Sequence, residues 1–109
     1  MRLSILAALL LGLAACTGES ANPDCVTGCK NQAACSGMGT DTCEDACISN
    51  KLAAEEADCL TEQTALDKCS AAEKACTAQR CPNEQAALDT CYLGYCKDHT
   101  SNAEVCGSP

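Results

Sequence analysis

From Thr42 to Arg80 the chain carries no glycine or proline, and Ile48, Leu52, Cys59, Leu66, Cys69 and Cys76 recur at steps of four, seven, seven, three and seven. That rhythm is helical and follows no strand alternation. It predicts one long helix or two, with a weak break at Ser49-Asn50. Pro82 ends the pattern, because the residue before a proline avoids the α region, and Cys81-Pro82-Asn83 reads as the turn. A final helix is predicted from about Pro82 to Lys97, with Leu88, Cys91, Tyr92, Tyr95 and Cys96 in one arc. Upstream, Asn22 and Pro23 read as an N-cap and a first helical residue. That helix is predicted to run to about Ala34, before Ser36-Gly37-Met38-Gly39 breaks it. The expectation is an all-α fold, a small bundle of three to four helices in disulfide-stapled hairpins, occupying residues 23–109.

A repeat lies inside this pattern. The unit C-x-x-E-Q-x-A-L-D-x-C occurs at Cys59–Cys69 and again at Cys81–Cys91. It predicts two helices built on one template.

Composition makes the cysteines the centre of the problem. Thirteen of 109 residues are cysteine, above the roughly 8–10% that marks a disulfide scaffold in a short exported chain. Large apolar side chains are sparse, there is no Phe or Trp, and Tyr92 and Tyr95 are the only aromatics. Cross-links are therefore expected to supply much of the stability.

The first helix and the next each carry a C-x-x-x-C pair on one face: Cys25 with Cys29, and Cys43 with Cys47. In an antiparallel hairpin, Cys25–Cys47 and Cys29–Cys43 both centre on residue 36, inside the glycine loop. Further along, a fold-back at Pro82 would bring Cys76 to Cys91 and Cys69 to Cys96. Cys35, Cys59, Cys81 and Cys106 are left with three ways to pair. Cys81–Cys91 is disfavoured, since ten helical residues span about 15 Å and bridged Cα atoms lie within ~7 Å.

The N-terminus reads as a transport signal, with Arg2 before an apolar run from Leu3 to Ala14. That run is shorter than the ~20 residues needed to span a bilayer. It ends in Leu13-Ala14-Ala15-Cys16, which resembles the lipobox of bacterial lipoproteins. The resemblance implies that residues 1–15 are a signal peptide removed before Cys16. It also implies that Cys16 carries the acyl groups, that residues 16–22 are a tether, and that the default address is the outer membrane or cell surface. Parity agrees: without Cys16, twelve cysteines remain, enough for six disulfides. Loss of residues 1–15 leaves 94 of 109 residues, and loss of Arg2 leaves six basic residues against fifteen acidic ones, a formal charge of −9. Such a balance argues against nucleic acid and anionic membrane surfaces as partners.

No C-x-x-C, C-x-x-C-H or G-x-S-x-G is present, so thioredoxin-type redox, c-type haem and nucleophile-elbow chemistry have no motif here. His99, the single histidine, reads as part of a solvated helix end. Glu55, Glu56 and Asp58 read as a solvated face, and Tyr92 and Tyr95 as core. The nested hairpin cysteines resemble the disulfide-bonded α-hairpin of several small proteins. The whole loosely resembles the small cysteine-rich predicted lipoproteins of unknown function. The expected function is a lipid-anchored, non-catalytic binding or structural module, with the bilayer as partner through Cys16 and no cofactor or metal. Two alternatives stand beside it. One is a thiolate-lined bundle sequestering Cu(I), which resembles the four-helix copper-storage proteins. The other is an effector or inhibitor presenting the Ser36–Thr40 loop.

Overall fold

The computed structural model describes residues 20–76 and 80–107. The predicted signal peptide, Cys16 and the first part of the tether lie outside the described residues. The fold is all-helical, with no strand among the described residues. Among the described residues its elements are α1 (Pro23–Ser36), α2 (Cys43–Glu56), α3 (Leu60–Ala72), α4 (Pro82–Asp98) and a single turn, α5 (Ala103–Cys106).

The start of α1 follows from its first residues. The Asn22 side chain accepts from the Asp24 N–H, and Pro23 occupies the first turn, where a missing N–H costs nothing. Its end is set by Gly37 in the left-handed region, with the Met38 N–H closing on the Ala33 carbonyl.

The long seam is not one helix, and Ser49-Asn50 is not where it breaks. The break is at Ala57-Asp58-Cys59. Asp58 has φ +57°, the Cys59 N–H bonds to the Ala54 carbonyl at 2.7 Å, and the Asp58 N–H bonds to Glu55 at 3.3 Å. This is a Schellman stop with aspartate in the position glycine usually takes. A short polar side chain tolerates that backbone better than most. Asp58→Gly is expected to raise the thermal midpoint by relieving this conformation, and Asp58→Val to lower it, by about 1 kcal/mol of stability in each direction. Thermal unfolding followed by circular dichroism reads both.

Six disulfides hold the helices, and every bridged Cα pair is 5.4–6.0 Å apart, inside the usual range. Cys25–Cys47 and Cys29–Cys43 staple α1 to α2 around the glycine loop. The second hairpin differs from its sequence expectation. Cys76 does not meet Cys91, and Cys69 does not meet Cys96. Cys59 pairs with Cys91 and Cys69 with Cys81. The cause is where α3 stops. It ends at Ala72, eight residues before Arg80, so the bend falls near residue 75 and not at Pro82. Cys59–Cys91 and Cys69–Cys81 then both centre on residue 75, a nested ladder of the same kind as the first. Cys76, released from the helix, reaches Cys35, and Cys96 takes Cys106, fastening the tail.

The two hairpins are therefore joined tip to tip. Between them α1 lies along α3 in the same direction: Asn22 bonds to Asp67, and Asn31 Nδ2 donates to the Ala71 carbonyl at 3.2 Å. Gly28 permits the close approach, because a Cβ there would stand 2.6 Å from the Ser70 Cβ. The apolar core is small. Ala57, Cys59 and Leu88 form its centre, with Leu66, Cys91, Tyr92, Tyr95 and Val105 packed around them. Both tyrosines thus serve the core, and burial pushes the Tyr92 phenol above its ordinary value.

Candidate functional site

The repeat places its Gln and Asp one turn apart, and in both copies the pair bonds: Gln63 to Asp67 at 2.9 Å and Gln85 to Asp89 at 3.0 Å. The two copies then diverge. Gln85 and Asp89 face solvent, whereas Gln63 and Asp67 are buried, 5% and 7% exposed. Asp67 also accepts from Asn22 Nδ2 at 3.2 Å. Both carboxylate oxygens thus have a donor, one from α3 itself and one from the cap of α1.

Burial lifts the Asp67 carboxyl above its ordinary value of 3.8, the two hydrogen bonds pull against that, and the charge of Asp24 adds to the rise. A raised acid favours the folded state when protonated. Its contribution is fully present below 3.8 and is lost as pH rises through the elevated value. Wild type and Asp67→Asn are therefore expected to differ in the slope of stability against pH across that acidic window, the wild type gaining more on acidification. Urea midpoints taken at several pH values measure it.

Asp67 and Gln63 form a partition between two hollows. The smaller, about 260 Å³, lies beneath the residues entering α1 and is lined by Ser20 to Pro23, Lys51, Leu60 and Thr64. Lys51 Nζ donates to the Ser20 carbonyl at 3.4 Å there. The larger is an open cleft of about 590 Å³, within the range of small-molecule sites. Cys25–Cys47 and Cys35–Cys76 frame it. Gln32, Asn50, Gln63, Asp67, Ser70 and Arg80 supply its polar groups.

Arg80 is the one arginine after residue 2. Its Nη2 donates to the Ser70 carbonyl at 3.1 Å and to the Glu73 carbonyl, capping the exposed end of α3 where carbonyls lack helical partners. Its Nε and Nη1 are buried and have no hydrogen-bond partner. Native proteins leave few buried donors unpaired, so this is the most unusual polar feature among the described residues.

Neither the cleft nor Arg80 and Asp67 stood out in the sequence. The available signals were a solitary arginine among lysines and an aspartate inside a repeated unit. Of the residues that did stand out, His99 is exposed and stacks on the Tyr95 ring at 4.0 Å. Glu55, Glu56 and Asp58 are exposed, with Glu56 accepting from Asn102 at 3.0 Å. Cys69, Cys81 and Glu84 bring two sulfurs and a carboxylate within 4.8 Å of one another. The sulfurs are bonded to each other, and a disulfide offers no thiolate to a metal.

No family model matches this chain, and neither a curated protein nor a solved structure does. Function rests on the residues alone. Twelve described cysteines in six bonds are the mark of a chain that matures in an oxidising, exported environment. No described helix is long and apolar enough to cross a membrane.

Proposed function

We propose that this protein is a lipid-anchored lipoprotein of the bacterial outer membrane or cell surface. Its exported part is a rigid, non-catalytic binding or structural module held by six disulfides. The observation that carries the reading is the cysteine inventory. Twelve cysteines pair among themselves, which leaves no described cysteine for Cys16 and frees it for acylation at Leu13-Ala14-Ala15-Cys16. Several acyl chains on one residue satisfy the need for more than one anchoring group.

The same inventory weighs against a thiolate-lined Cu(I) bundle, since soft-metal binding needs thiolates and the described cysteines are joined in pairs. Intact mass of envelope-purified protein, with and without alkylation, tests the proposal. The expected mass is that of residues 16–109, less two hydrogens per disulfide, plus the lipid, with no alkylatable thiol. Free thiols with bound metal, or a mature chain lacking acyl mass, would overturn it.

A further inference from the structure

We propose that the large cleft binds a small oxyanion, a carboxylate or a phosphate monoester, through the guanidinium of Arg80. The inference deepens the binding-module reading and rests on it.

Three observations converge. First, Arg80 is anchored by one nitrogen only. Nη2 holds the Ser70 and Glu73 carbonyls while Nε and Nη1 hold nothing. Capping a helix end needs a single donor, and a lysine could supply it, so the cap does not account for the other two. A guanidinium presents its donors as a planar fork matched to the two oxygens of a carboxylate or phosphate. Second, the fork is at the wall of a cleft of ligand size. Nε and Nη1 are buried as they stand, so the proposal requires the guanidinium to turn its unused edge toward the cleft when the anion binds. Third, apart from Asp67 the rest of the described lining is uncharged. Gln32, Asn50 and Gln85 reach it from three helices, and Arg80 is the only cation and Asp67 the only anion among the lining residues. Asp67 is already spent on Gln63 and Asn22, so Arg80 is left without a counter-charge in the cleft.

Asp67 lies one turn before Ser70 on α3, and the guanidinium touches Ser70. Asp67 and Arg80 line the same cleft, so removing the Asp67 charge should tighten binding of an anion there. That gives a gain-of-affinity test which loss of folding cannot mimic.

The experiment uses the mature lipidated protein in detergent, titrated with inorganic phosphate and, separately, with acetate. Arg80 is the sole arginine of the mature chain, so its Nε–H resonance is unambiguous. The expected result is a saturable shift of that resonance with a dissociation constant of about 1 mM or tighter for at least one probe, and the preferred probe tells phosphate chemistry from carboxylate chemistry. Arg80→Lys keeps the charge and a cap donor but loses the fork, and is expected to weaken binding about tenfold or more. Asp67→Asn is expected to bind more tightly than wild type. A resonance that only drifts without saturating, an Arg80→Lys variant that binds as well as wild type, or an Asp67→Asn variant of unchanged affinity would each overturn the proposal. Missing acyl mass overturns the anchored-display reading and leaves the titration standing. A failed titration overturns the cleft and leaves the anchor standing.

Discussion

Full reduction of the protein is expected to abolish its helical circular dichroism at room temperature. Among the described residues the buried positions are mostly cysteine, alanine and a single leucine, Leu88, and Met38 and Leu93 lie largely exposed, at 72% and 67%. Burial of a large aliphatic or aromatic side chain is worth about 1.5–3 kcal/mol, and few such side chains are in the core. Each disulfide contributes roughly 3 kcal/mol. Small domains are stable by about 5–15 kcal/mol in total, so losing six cross-links exceeds any margin the apolar core provides. Intrinsic helicity offers no rescue, because isolated helices of 13 to 17 residues are marginal in water. A reduced and alkylated sample that kept its far-ultraviolet spectrum would show that packing alone holds the bundle.

The double variant Cys35→Ala/Cys76→Ala is expected to lose the most stability of any single-bridge deletion. Its sequence separation is 41 residues, the longest of the six, against 10 for Cys96–Cys106. The chain-entropy relation gives about 4 kcal/mol for the first and about 3 kcal/mol for the second. The contrast should be larger than those numbers suggest. Cys35–Cys76 is the one covalent link between the hairpins besides the chain itself. Without it the closeness of Gly28 to Ser70 and the shape of the cleft depend on a few hydrogen bonds. Guanidinium titration of the two double variants, each checked for its five remaining bridges, measures the difference. Equal losses would mean that the hairpins hold each other without the tip bond.

The first hairpin was legible in the sequence and the second only half so. Both have nested cysteine ladders. The first is bracketed by an asparagine-proline start and a glycine stop, so its centre at residue 36 can be read directly. The second bends near residue 75, where no glycine or proline stands, and Pro82 offers a more conspicuous false turn. The end of α3 is secured at a distance by Arg80 donating to the Ser70 and Glu73 carbonyls, a tertiary contact that no local pattern announces. The same symmetry that located the first hairpin would have located the second: Cys59 with Cys91 and Cys69 with Cys81 share one midpoint. The break at Asp58 escaped for a related reason, since aspartate there does what glycine commonly does. The cleft was illegible because it needs α1 and α3 side by side, and their packing depends on Gly28, whose role appears only when Ser70 is opposite it.

The parallel course of α1 and α3 gives the molecule two unlike ends. The residues entering α1 sit at one end, close to Lys51. The glycine loop and the Cys35–Cys76 bridge sit at the other, a helix length of about 21 Å away for the 14 residues of α1. The proposed anchor at Cys16 would place the first of these ends nearer the membrane. On that proposal Met38, which is largely exposed, and the bridged tips would form the face turned toward whatever approaches from solution.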